Sequence, residues 1–193
     1  MSTVPTPPPT STGIIEVLSD LTRSTQLFPD EDQTTYQALR AMLFSDLAPG
    51  TPYEHVIAQN LVDLEWEAMR HRRFRDQLVL SEYKKVAAEL VDKSDNPSGF
   101  SLGPSQAVKT LAHDLVSSDA EVRSAAEQQL ADRNISSSEI LALAYQRRAK
   151  DLEPHDRKLA EVEVRRRRLR EDYERLKASI ARPIEDAQVL HVE

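Results

Sequence analysis

The sequence predicts an all-α protein built on an antiparallel, coiled-coil-like hairpin of two long helices, with short accessory helices beside it. Three observations carry this. Residues 53–96 contain neither proline nor glycine, so a single helix can fill the span. Leu152, Leu159, Arg166, Tyr173 and Ile180 recur every seven residues, and His155, Val162, Leu169 and Leu176 follow the first four by three. That is an a/d seam, which needs a partner helix. Finally, 30% of residues are charged and only 5% aromatic, with four glycines. Long solvated helices fit that balance better than strands, which favour β-branched and aromatic residues.

The elements follow in order. Residues 1–13 are mostly Ser, Thr and Pro and read as a disordered tail. IIEVLSDLTR (14–23) has the pattern of a short helix. A helix over about 30–47 starts in the acids of FPDED, carries Tyr36, Leu39, Leu43 and Leu47 as its stripe, and stops at Pro49–Gly50. The long helix 52–92 opens with Thr51 as N-cap, Pro52 in the first turn and Glu54 closing a capping box. Its apolar positions are Ile57, Leu61, Leu64, Ala68 and Leu78.

After the Pro/Gly-rich loop 93–105 come short helices at 104–116 and 119–132, the second capped by Ser118 with Glu121. A further box, Ser136 with Glu139, opens the second long helix, 138–181, with a kink expected at Pro154. Residues 14–182 read as one helical domain and 183–193 as a flexible tail. The seam's partner is either the 52–92 helix or the same helix of a second copy.

Composition narrows function. The net charge of −7 argues against a surface basic throughout but leaves room for a local basic patch. The absence of cysteine excludes disulfides, thiolate metal sites and a cysteine nucleophile. The start has no signal-like apolar core, and no apolar run nears the roughly 20 residues that cross a bilayer. A cytoplasmic protein with no membrane role is expected.

His55, His71, His113, His155 and His191 lack the spacing that sets two imidazoles on one helical turn. No glycine-rich phosphate loop exists. The sequence therefore offers no catalytic, cofactor-binding or metal-ligating residues, and the expectation is a protein that is not an enzyme.

Two arginine clusters remain. Arg165–Arg168 splay around a helix, each with a carboxylate one turn away (Glu161, Glu163, Asp172), so the run reads as a neutralised, solvated flank. In WEAMRHRRFRD, Arg75 has no acid three or four residues away, and Trp66, Arg70 and Arg73 share a face. An aromatic beside guanidiniums can hold phosphate or stack on a base. The simpler reading puts Trp66 in the core and pairs the arginines with acids of the facing helix. Trp66, Arg70, Arg73 and Arg75 are the candidate polyanion or partner contacts.

The acidic start Pro29–Asp32, the junction Leu47–Glu54, and Trp66 followed by Arg70, Arg72 and Arg73 resemble an uncharacterised family of bacterial helical proteins. DLEPHDRKLAEVEVRRRRLREDYERLK is similar to that family's C-terminal helix. The likeness covers about 28–80 and 150–178. It departs at SDLTRSTQLF, where many members carry an Asn…His-Gly-Leu segment. Some members are associated with phages or mobile elements, which points weakly to nucleic acid. The leading expectation is a non-enzymatic scaffold that binds another protein or itself. The alternative is a nucleic-acid-binding accessory protein of a mobile element or phage.

Overall fold

A computed structural model describes residues 27–97 and 103–181 of the chain, with side chains to residue 179. The expected 1–13 tail, the 14–23 helix, the 183–193 tail and the seam side chain of Ile180 lie outside the described residues. Those residues form five helices and no strand: α1 (Gln33–Leu47), α2 (Pro52–Asp95), α3 (Gln106–Asp114), α4 (Ala120–Ala131) and α5 (Ser137–Ala181).

α2 and α5 pack against each other as an antiparallel hairpin, as the heptad demands. Partners descend on α5 as they ascend on α2: Glu65 meets Arg166, Arg75 meets Asp156, and Glu82 meets Arg148. The seam is therefore satisfied within the chain. Leu152, Val162 and Tyr173 are buried, and His155, Leu159, Arg166, Leu169 and Leu176 are half-buried. α5 continues through Pro154 without a break.

Where the sequence reads as one domain, the chain divides into two compact units. Unit 1 is Met1–Met69 with Ala160–Glu193; unit 2 is Arg70–Leu159. Each has its own apolar core. In unit 1, Leu47, Ile57, Ala58, Leu61 and Tyr173 form one cluster, and Tyr36, Val62 and Trp66 another. In unit 2, α3 and α4 bring Val108, Leu111, Ala112, Leu115, Ala126 and Leu130 onto Val86, Ala87, Val91 and Ile140. A fully buried side chain such as Val62 contributes about 1.5–3 kcal/mol. α2 buries Val79 and leaves Leu78, the expected apolar position, half-exposed.

The caps explain the element boundaries. Asp32 accepts hydrogen bonds from the backbone N–H groups of Thr34 and Thr35 at 2.9 and 3.1 Å, so α1 starts at Gln33, three residues beyond the first acid, Asp30. Thr51 and Glu54 form the reciprocal box, each backbone N–H donating to the other's side chain at 3.1 and 3.2 Å. The Glu54 carboxylate also accepts from the Gly50 N–H. The expected Ser118 cap on α4 is corrected: Asp119 takes that position, accepting from Glu121 N at 2.9 Å and Val122 N at 3.4 Å. A carboxylate at the positive end of a helix outcompetes the neighbouring hydroxyl.

α1 ends on Ala48 in the left-handed region (φ 45°). There α5 reaches it. The Tyr173 hydroxyl donates to the Leu47 carbonyl at 2.8 Å, and the Lys177 ammonium donates to the Leu47 and Ala48 carbonyls at 2.8 and 2.7 Å. These satisfy carbonyls that a helix end leaves without intrahelical partners.

Candidate functional site

Trp66, the aromatic of the first cluster, is 1% exposed. Its ring stands edge-on to Tyr36 (centroids 5.3 Å apart, planes at 84°) among Val62, Leu39 and Met69. Both ring faces serve the core, so no base can stack on them. Tyr36 is fixed in turn by a network around the buried Gln59. The Gln59 amide donates to the Tyr36 hydroxyl at 2.9 Å and to Asp63 at 3.0 Å, and its carbonyl accepts from Arg40 at 2.9 Å.

The arginines that follow belong to unit 2. Arg75, unbalanced in the sequence, meets Asp156 of α5 at 3.4 Å and Asp76 at 3.7 Å. Arg70 and Arg72 are also partnered. Arg73 is half-buried, with no carboxylate in ion-pair range among the described residues. The structure thus takes Trp66 away from the proposed contact surface and neutralises Arg75. Further along unit 2 the same cross-helix pairing recurs. Buried Glu82 pairs with Arg148 at 3.0 Å and Arg147 at 3.6 Å, and Arg147 reaches Glu89 at 2.7 Å.

The second cluster behaves in the opposite way. Arg166, at its seam position, pairs with Glu65 across the hairpin and with Glu163 on its own helix. The Glu65 carboxylate raises the guanidinium pKa above its ordinary value, and Glu163 adds to this. Glu163 is thus engaged by Arg166, and Asp172 pairs with Arg175 at 3.2 Å. Among the described residues Arg165, Arg167 and Arg168 are exposed and have no carboxylate within ion-pair range. The expectation that the whole run is neutralised within one turn is corrected: helical spacing offers acids, but Glu163 and Asp172 are engaged by Arg166 and Arg175 instead.

These arginines border two grooves of unit 1. One, of about 470 Å³, has Leu43, Leu47, Leu61 and Val164 as its apolar surface and Asp46, Glu65, Glu163, Arg166, Arg167 and Arg170 around it. Arg170 lies 3.7 Å from Asp46 and 3.4 Å from Glu174. The other is polar, with Arg165 and Arg168 among Asn60, Asp63, Glu67 and Asp172.

One juxtaposition has no signal in local spacing. His71 and His155, 84 residues apart, stand with Nδ1 atoms 3.0 Å apart in unit 2. Among the described residues no helix is long and apolar enough to cross a membrane. No family model, curated protein or solved structure matches the chain.

Proposed function

We propose that the chain is a non-enzymatic, cytoplasmic helical scaffold that binds another protein through the apolar groove of unit 1. The make-up of that groove supports this reading. Leu43, Leu47, Leu61 and Val164 offer an apolar surface, while three carboxylates and three arginines border it. Mixed charge about an apolar strip suits an amphipathic helix laid into the groove. The same carboxylates repel a phosphate backbone. Arg167 supplies a cation that no acid of the described residues has claimed.

A photo-crosslinking residue at position 167 tests this in cells. A discrete protein adduct is expected, lost when Val164, 37% exposed, becomes Glu while helicity and melting temperature hold. No adduct, or one indifferent to Val164→Glu, overturns the reading. Light scattering on the purified chain separates a second copy from a different partner.

One observation favours a second reading, a nucleic-acid-binding accessory protein like those suggested by the phage-associated resemblance. Arg165, Arg167 and Arg168 are exposed, with no ion pair among the described residues. At low salt, binding to single- or double-stranded DNA or RNA should then weaken in Arg165→Gln/Arg167→Gln/Arg168→Gln more than in Arg70→Gln/Arg73→Gln/Arg75→Gln. It should also fall steeply as salt rises. No binding by the parent chain removes this reading.

A further inference from the structure

We propose that His71 of α2 and His155 of α5 form a two-imidazole chelate for a divalent transition-metal ion of square or tetragonal preference, Cu(II) or Ni(II). The geometry comes first. The two Nδ1 atoms lie 3.0 Å apart. With metal–nitrogen bonds of about 2.0–2.1 Å, cis ligands at a right angle stand about 2.9 Å apart and tetrahedral ones about 3.3 Å. The observed spacing matches the right-angle case, the geometry of Cu(II) and Ni(II), and imidazole suits both metals.

The rings are also held. Phe74 packs against both, its centroid 6.4 Å from that of His71 and 5.9 Å from that of His155. It forms an apolar wall that limits ring rotation. Both histidines are half-buried, so one side stays open to solvent, which supplies the remaining ligands. Among the described residues no group of three or more His, Asp or Glu could hold an ion, so the pair acts alone.

Without metal, one imidazole N–H donates to the other ring's nitrogen. When the ion binds both Nδ1 atoms, the donor ring's proton shifts from Nδ1 to Nε2, so each neutral ring then carries its single proton on Nε2. Arginines surround the site in sequence, but Arg75 is paired with Asp156 and Asp76, and Arg70 and Arg72 are also partnered. Repulsion of a dication is thereby confined to Arg73, which among the described residues has no carboxylate in ion-pair range. Because the ligands come from the two arms of the hairpin, the ion joins α2 to α5 and stabilises the folded state by mass action.

The test uses the full chain without a histidine tag, titrated with CuCl₂ and NiCl₂. Calorimetry should give one ion per chain and a melting temperature that climbs with metal concentration. Electron paramagnetic resonance of the Cu(II) form should show two coordinated imidazole nitrogens. His71→Gln and His155→Gln should each lose roughly 10²-fold in affinity, the order of gain when a second ligand acts intramolecularly. His113→Gln should bind like the parent. Equal affinity in all three variants, or no binding by the parent, overturns the proposal. If a variant fails to fold, the parent's Cu(II) spectrum decides: a one-imidazole signal defeats the chelate.

Discussion

The clusters Arg70–Arg75 and Arg165–Arg168 look alike in composition and are solved in opposite ways. In the first, Arg75 has no acid three or four residues away in the sequence, yet Asp156 comes to it from the facing helix, while among the described residues Arg73 keeps no carboxylate in ion-pair range. The second has an acid one turn from every member, yet among the described residues only Arg166 is paired. A carboxylate serves whichever guanidinium reaches it with the best geometry. Exposed i,i+4 pairs are worth a few tenths of a kcal/mol and yield to better partners. Counting charges along one helix thus gives its net charge but not which side chains are left over.

The sharpest break of this contrast is Trp66→Ala. If Trp66 serves the core of unit 1, its loss should cost about 3–5 kcal/mol by chemical denaturation, with any nucleic-acid affinity changing only through unfolding. A mild effect would return the indole to the surface.

Next is Glu82→Ala, which removes the buried acid shared by Arg148 and Arg147 in unit 2 and leaves them only the exposed Asp151 and Glu89. The expected loss is about 1–3 kcal/mol. Cross-helix neutralisation is decorative if the variant melts like the parent.

Arg75→Gln against Arg168→Gln tests the pairing directly. The first should destabilise by up to about 1 kcal/mol and the second by close to nothing, since only the first removes a half-exposed ion pair. Equal effects would erase the distinction between the clusters.

The smallest effect is a pH dependence at Tyr173, one heptad beyond Arg166. Burial, and then the nearby Glu54 charge, push its phenol above the ordinary 10.0. A raised folded pKa means the contribution is fully present below 10.0 and is lost as pH rises through the folded value. Tyr173→Phe should flatten that alkaline limb of the stability curve. An unchanged limb would show that another group governs it.

The hairpin was legible because its signals are periodic or local. The heptad placed eight seam residues correctly, and the Thr51–Glu54 box marked the start of α2 to the residue. Ser118 failed as a cap because two good N-cap residues stand side by side, and the charge that favours Asp119 at the positive helix end decides between them. The division into two units was hidden because both long helices run through it without proline or glycine at the boundary. The site was less legible still. Arg75–Asp156 and His71–His155 join residues more than 80 apart, and only the register of the hairpin brings them together. Once α2 and α5 are aligned on their seams, both juxtapositions follow from the numbering. The missing signal was alignment between helices, which no single-helix pattern contains.

The clasp at the end of α1 has a consequence for how the chain is made. Leu47 and its carbonyl wait for Lys177, 130 residues later. At about 5–20 residues per second the ribosome needs roughly 7–26 s to deliver it. Unit 2 is continuous, and its last residue, Leu159, is synthesised before Tyr173 and Lys177. α1 and the start of α2 are thus made early and closed late, and Leu47, Ile57 and Leu61 face solvent or a chaperone until the C-terminal arm arrives.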